Sequence, residues 1–157
     1  MNLIAEMWVV IEQTVDNLAL CYEKVRLYQD GLPVCGREVE IITELAKTGS
    51  YNYRLLLELT KKGATIMGSE SPDLLLEEYQ LTKQLLSVKD PREIDKIDAH
   101  QKNLRHSLLK KRDQFIANRI NTTLSNGETA ILFLGLLHSL VDKLDKDIQI
   151  IYPINKP

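Results

Sequence analysis

The sequence is sparing in most of the residues that announce a function. Two cysteines in 157 residues, Cys21 and Cys35, form no CxxC pair and no disulfide framework, so neither a zinc site of the usual spacing nor a secreted, cross-linked scaffold is indicated. A reducing, cytoplasmic setting is the expectation that follows. Charge of one sign is missing too: 20 basic residues against 22 acidic ones leave a net charge of −2 and no footprint for nucleic acid or an anionic membrane surface. No apolar run approaches the roughly 20 residues that a membrane-spanning helix needs. The opening MNLIAEMWVVIEQ carries Glu6 and Glu12 among its apolar residues and has no basic start, unlike a secretory leader. GxSxG, the P-loop, GxGxxG and HExxH are all absent, so those hydrolase, nucleotide and zincin readings lose their usual support.

What is present is a pattern of alternating elements. Leu3, Ile4, Met7, Trp8, Ile11, Val15 and Leu18 recur at helical spacing, making an N-terminal amphipathic helix whose Trp8 face needs a packing partner. KVRLYQD then reads as a strand closed by the turn Asp30-Gly31-Leu32-Pro33. Helices are expected over 36–47 and 52–62, with Gly49 and Gly63 as stops. Ala64–Gly68 is a second strand. Ser71-Pro72-Asp73 opens a helix with cap, first-turn proline and first-turn acid in place, and Asp90-Pro91-Arg92-Glu93 opens a longer one reaching about Leu124. Ala130–Leu137 has no charge, as a strand buried on both faces requires, and Ile148–Ile154 reads as a last strand. The fold class implied is α/β, a small, mainly parallel sheet of about four strands flanked by helices, with the long helix before the third strand. The length fits one domain spanning 1–157.

Ligands of a parallel sheet bind beyond the carboxyl ends of its strands. Asp30, Glu70 and His138 stand at three such ends. Arg112 lies within the long helix among Leu108, Leu109, Phe115 and Ile116, so its charge sits in an apolar stripe and demands a partner. Glu70, Arg112 and His138 are therefore the candidate catalytic residues, and Asp30, Glu70 and His138 a candidate ligand set for a divalent metal ion. Plainer roles stand beside these. Asp30 suits a turn, Glu70 a helix N-terminus, and Arg112 an internal pair with Asp113, Glu128 or a strand-end acid. Arg105 and Arg119 share Arg112's seven-residue spacing, while His100 and His106 are expected in solvent. Cys35 before Gly36 is either a small turn residue or a thiol near a helix start.

The stretch Arg112-Asp113 through Ile116-Ala117 and Ile120, followed by an apolar strand and Gly135-Leu136-Leu137-His138, resembles the C-terminal part of the TraB-like and TIKI-like superfamily, related to the erythromycin-esterase and ChaN-like proteins. YQDGLP and GATIMGSESPDLLLEEY are similar to bacterial proteins loosely associated with that group. The resemblance implies an α/β fold and a metal-dependent hydrolase or protease site, built from two GxxH elements, a glutamate and an arginine. His138 matches the second GxxH, Arg112 the arginine, and Glu70 stands for the acid. The first GxxH has no counterpart, because a helix stands where the family places that strand. An N-terminally shortened α/β domain is the corresponding expectation. Three functions follow: a partial or degenerate metal-dependent hydrolase; a non-catalytic module binding a small anionic ligand at Arg112; or an oligomerising domain whose N-terminal helix buries Trp8 on a partner.

Overall fold

A computed structural model describes residues 2–154. Its sheet has three strands, all parallel, in the order β2-β1-β3: β1 is Val25–Gln29, β2 Thr65–Met67 and β3 Thr129–Phe133. Leu27 pairs with Ile66 on one side and Ile131 on the other. Strand side chains alternate between faces, and this alternation divides the core in two. Leu27, Ile66, Ile131 and Phe133 face a cluster built by α1 (Leu3–Asn17), α2 (Glu38–Lys47) and α3 (Tyr51–Lys61), which contribute Val15, Ile42, Leu55, Leu56 and Leu59. Tyr28, Met67, Ala130 and Leu132 face the opposite cluster, where Ile116, Ala117 and Ile120 of α5 (Pro91–Thr123) pack. The central strand β1 is covered on both faces, so Val25, Leu27 and Tyr28 are all buried.

The caps act largely as their residue types dictate. The Ser71 hydroxyl accepts from the amide of Leu74 and starts α4 (Pro72–Leu86); the Asp90 carboxylate accepts from Arg92 and starts α5. Thirty-three residues make α5 about 50 Å long. Its first half pairs only with α4, which has no buried residue. Its second half crosses the sheet and carries Arg112 and Asp113 inward. Among the described residues no helix is long and apolar enough to cross a membrane.

The expected strand count is corrected from about four to three. Ala130–Leu137 stops pairing at Phe133, because the amide of His138 bonds back to the Gly135 carbonyl and folds the next residues into a turn. Among the described residues Ile148–Ile154 forms no ladder, and the segment leaves the body with Ile151 70% exposed. In the N-terminal helix the Trp8 indole packs within its own chain, 6.2 Å from the Phe133 ring.

Gly68 at the exit of β2 shows how tightly the strand ends are packed. A β-carbon there would fall 2.6 Å from a Glu38 carboxylate oxygen, 2.6 Å from Val34 Cα and 2.8 Å from the Pro33 carbonyl oxygen. Two of the three are backbone atoms that cannot swing aside. Gly68→Ala is expected to cost about 1–3 kcal/mol, read as a lower urea midpoint with an unchanged slope. An unchanged midpoint would show that this corner yields.

Glu38 is held at the same corner. Burial pushes its carboxyl up, but the amides of Cys35 and Gly36, at 2.9 and 3.1 Å, together with its own amide and the field of Arg119, bring it below its usual 4.5. A depressed folded-state value gives stability that is complete above the unfolded value and is lost as pH falls through the folded one. Melting temperature should therefore drop below about pH 4.5, and Glu38→Gln should flatten part of that drop. Parallel curves for the two proteins would remove Glu38 from the account.

Candidate functional site

The carboxyl edge of the sheet brings the strand-end residues against α5 in two adjoining groups. Consecutive residues on a helix point about 100° apart, and Arg112 and Asp113 use that divergence to serve one group each.

Arg112 is 7% exposed and fully engaged. Its Nε and Nη2 donate to Glu70 Oε2 and Oε1 at 2.9 and 2.5 Å, and its Nη1 donates to Glu78 of α4 at 2.5 Å. Glu70 has no exposed surface, and its Oε1 also accepts from the Gly31 amide at 3.0 Å. The paired, charge-assisted hydrogen bonds that the guanidinium donates to Glu70 raise it above its already high value and outweigh the burial that opposes them. The stripe of apolar neighbours in the sequence correctly marks Arg112 as a buried cation. Glu70 is its partner; Asp30 acts on it only through its field.

Asp113 turns toward His138. Its Oδ1 lies 2.5 Å from His138 Nδ1 and its Oδ2 accepts from the Ser139 amide at 3.0 Å. The other imidazole nitrogen, Nε2, lies 3.6 Å from Asp30 Oδ2. Asp30 is itself fixed: Oδ2 accepts from the Gly135 amide at 2.8 Å, and Oδ1 accepts from the Gln29 side chain at 2.6 Å. The Gln29 side-chain Oε1 in turn accepts from Asn52 Nδ2 of α3 at 3.4 Å. Burial, and then the nearby Asp30 charge, push the Tyr53 phenol up, so it stays a neutral hydroxyl near this group. The result is a line Asp113–His138–Asp30 in which His138 is buried and Asp30 is only partly covered. No buried side-chain nitrogen or oxygen among the described residues lacks a partner.

Several expectations change on this geometry. Asp30, Glu70 and His138 do not make a metal site: no group of three or more potential ligands is close enough among the described residues, and both Glu70 oxygens are committed to Arg112. The divalent ion implied by the resemblance therefore finds no ligand set in this arrangement. Arg112 is also a poor anion receptor, because all three of its nitrogens already face carboxylates. Arg105 bonds to Asp98 and Gln101 on its own helix, and Arg119 donates to the Gly68 carbonyl; neither joins the site. His100 and His106 are exposed, as their positions suggest. Cys35 is exposed, and its backbone amide donates to the Glu38 carboxylate.

Asp113 is the residue that sequence reasoning undervalues. Its signal is its adjacency to Arg112 on a helix facing a GxxH turn, but the sequence alone offers it only as a partner for Arg112. Glu78 gives less warning, being one acid among several on α4. Compared with models of protein families, with curated proteins and with solved structures, the chain has no match.

Proposed function

We propose that the chain is a hydrolase-type acid–base catalyst in which His138 moves the proton. The observation that carries this reading is the Asp113–His138 contact of 2.5 Å at Nδ1, with Nε2 left facing Asp30 at 3.6 Å. With Nδ1–H donated to Asp113, Nε2 presents a lone pair at the partly open end of the line. A water or substrate hydroxyl bridging Nε2 and Asp30 from the partly open side gives its proton to Nε2 as its oxygen attacks. The same proton then passes from Nε2 to the leaving group, so the imidazole is restored. Asp113 and Asp30, one on either side of the ring, stabilise the imidazolium formed between these steps. Arg112 and Glu70 act as the frame that fixes the strand ends, not as reacting groups.

Charge sets the substrate class. Asp30, Glu70, Glu78 and Asp113 face one guanidinium and one imidazole, an excess of negative charge that repels phosphates and carboxylates. A neutral or cationic ester or amide is the class that fits. The resemblance of the Arg112–His138 stretch to hydrolases supports the reaction type, without the metal. Two free, exposed thiols, Cys21 and Cys35, suit a reducing cytoplasm as its place.

The test is hydrolysis of a panel of neutral esters, amides and phosphomonoesters by the wild type and His138→Gln. Turnover of a neutral ester or amide that vanishes in His138→Gln supports the reading. Turnover indifferent to His138, or none on any member of the panel, sinks it.

A further inference from the structure

Strand β3 lies at the edge of the sheet, and nothing in its sequence protects that edge. Natural edge strands are blunted by charge, proline, a bulge or a covering element. Thr129–Leu137 contains no charged residue and no proline. Strands of parallel sheets are ordinarily buried on both faces, as β1 is, yet Ala130, Ile131, Leu132 and Phe133 are only half-buried. The hydrogen-bonding direction is also open. The Phe133 carbonyl accepts from the Asp30 amide and so points toward β1. Backbone groups alternate along a strand, so those of Ala130 and Leu132 point away from β1, toward the open edge.

The same chain carries the complementary element. Gln149-Ile150-Ile151-Tyr152 is a β-branched and aromatic run closed by Pro153, which has no amide hydrogen and ends a ladder. It forms no ladder within its own chain, and Ile151 and Tyr152 are exposed. Ile148, just before it, packs with Leu144 on the α5-side core, so the run leaves the body from a fixed anchor. An open apolar edge and an unpaired apolar strand in one chain fit each other in a second copy.

We propose that the chain forms a two-fold homodimer in which Gln149–Tyr152 of each copy adds to the β3 edge of the other. Each sheet then has four strands, the number that the alternation of the sequence leads one to expect. The exchange is reciprocal, so the interface is self-complementary and closed. Main-chain hydrogen bonds supply affinity, and the isoleucines extend both faces of the sheet. This assembly is independent of the chemistry at His138.

The test is molecular mass by sedimentation over roughly a hundred-fold range of concentration. The wild type should run as a dimer. Ile151→Lys touches a side chain that is exposed in the single copy, so it should keep the wild-type circular dichroism spectrum while dimer affinity falls at least ~10-fold. Ala130→Pro removes an edge-facing amide without touching the β1 ladder and should also weaken the dimer. Mixing the two variants should give a dimer tighter than either variant forms alone and weaker than the wild type, because one of its two exchanges joins an intact strand to an intact edge. A monomeric wild type, or a dimer that ignores Ile151→Lys, overturns the proposal. A mixture of folded variants that associates no more tightly than either alone overturns the strand exchange.

Discussion

Arg112→Leu should lower the melting temperature by roughly 10 °C, from a loss of about 3–5 kcal/mol. The loss comes from what the substitution leaves behind. Glu70 has no exposed surface and relies on Arg112 for two hydrogen bonds, keeping only the Gly31 amide when the guanidinium is gone. A buried carboxylate without its cation must either stay charged in a poor medium or take up a proton, and each is costly. The double variant Arg112→Leu/Glu70→Leu removes both charges together and should recover most of the loss. Glu78→Gln should cost under about 1 kcal/mol, because that side chain is half-exposed and water replaces its share of the pair. Thermal unfolding of the wild type, Arg112→Leu, Glu70→Leu and the double variant measures the coupling directly. A melting temperature unmoved by Arg112→Leu would mean that Glu70 finds its partner elsewhere, and the frame assigned to this pair would be wrong.

The ion pair also shows what can be read from a linear sequence. A cation at the centre of a helix's apolar stripe is conspicuous because burial without a partner is forbidden by its energy. Glu70 is likewise legible, standing at a strand end before a well-capped helix. Pairings that depend on rotation about the helix axis are not. Whether Arg112 or Asp113 faces His138 turns on about 100° of helix phase, fixed only when Ile116, Ala117 and Ile120 seat on the sheet. The metal triad failed for a related reason: three residues at strand ends are near in the topology, but Glu70 spends both oxygens on Arg112 and no ligand group forms among the described residues. The fourth strand is the other instructive miss. The sequence of Gln149–Tyr152 has strand chemistry, but the segment leaves the body after Ile148 and pairs with neither outer strand of its own sheet.

Asp113→Asn should reduce catalysis by about a thousand-fold or more while leaving the fold close to its original stability. The reason lies in which atoms the carboxylate serves. Oδ2 accepts from the Ser139 amide and Oδ1 meets His138 Nδ1. An asparagine has one acceptor oxygen, and the Ser139 N–H can only donate, so the oxygen is drawn there. The asparagine NH2 then faces Nδ1, which must accept, and the imidazole proton moves to Nε2. Both hydrogen bonds survive, but the lone pair that should take a proton from water is gone. His138→Gln should cost about as much, and the double variant little more, because groups acting as one unit do not add. Nitrogen chemical shifts of the His138 ring provide a second readout, with the proton on Nδ1 in the wild type and on Nε2 in Asp113→Asn. A merely structural aspartate would instead show a loss of stability with no tautomer change. If the wild-type ring already carries its proton on Nε2, His138 cannot be the base and the proposed chemistry fails at its first step.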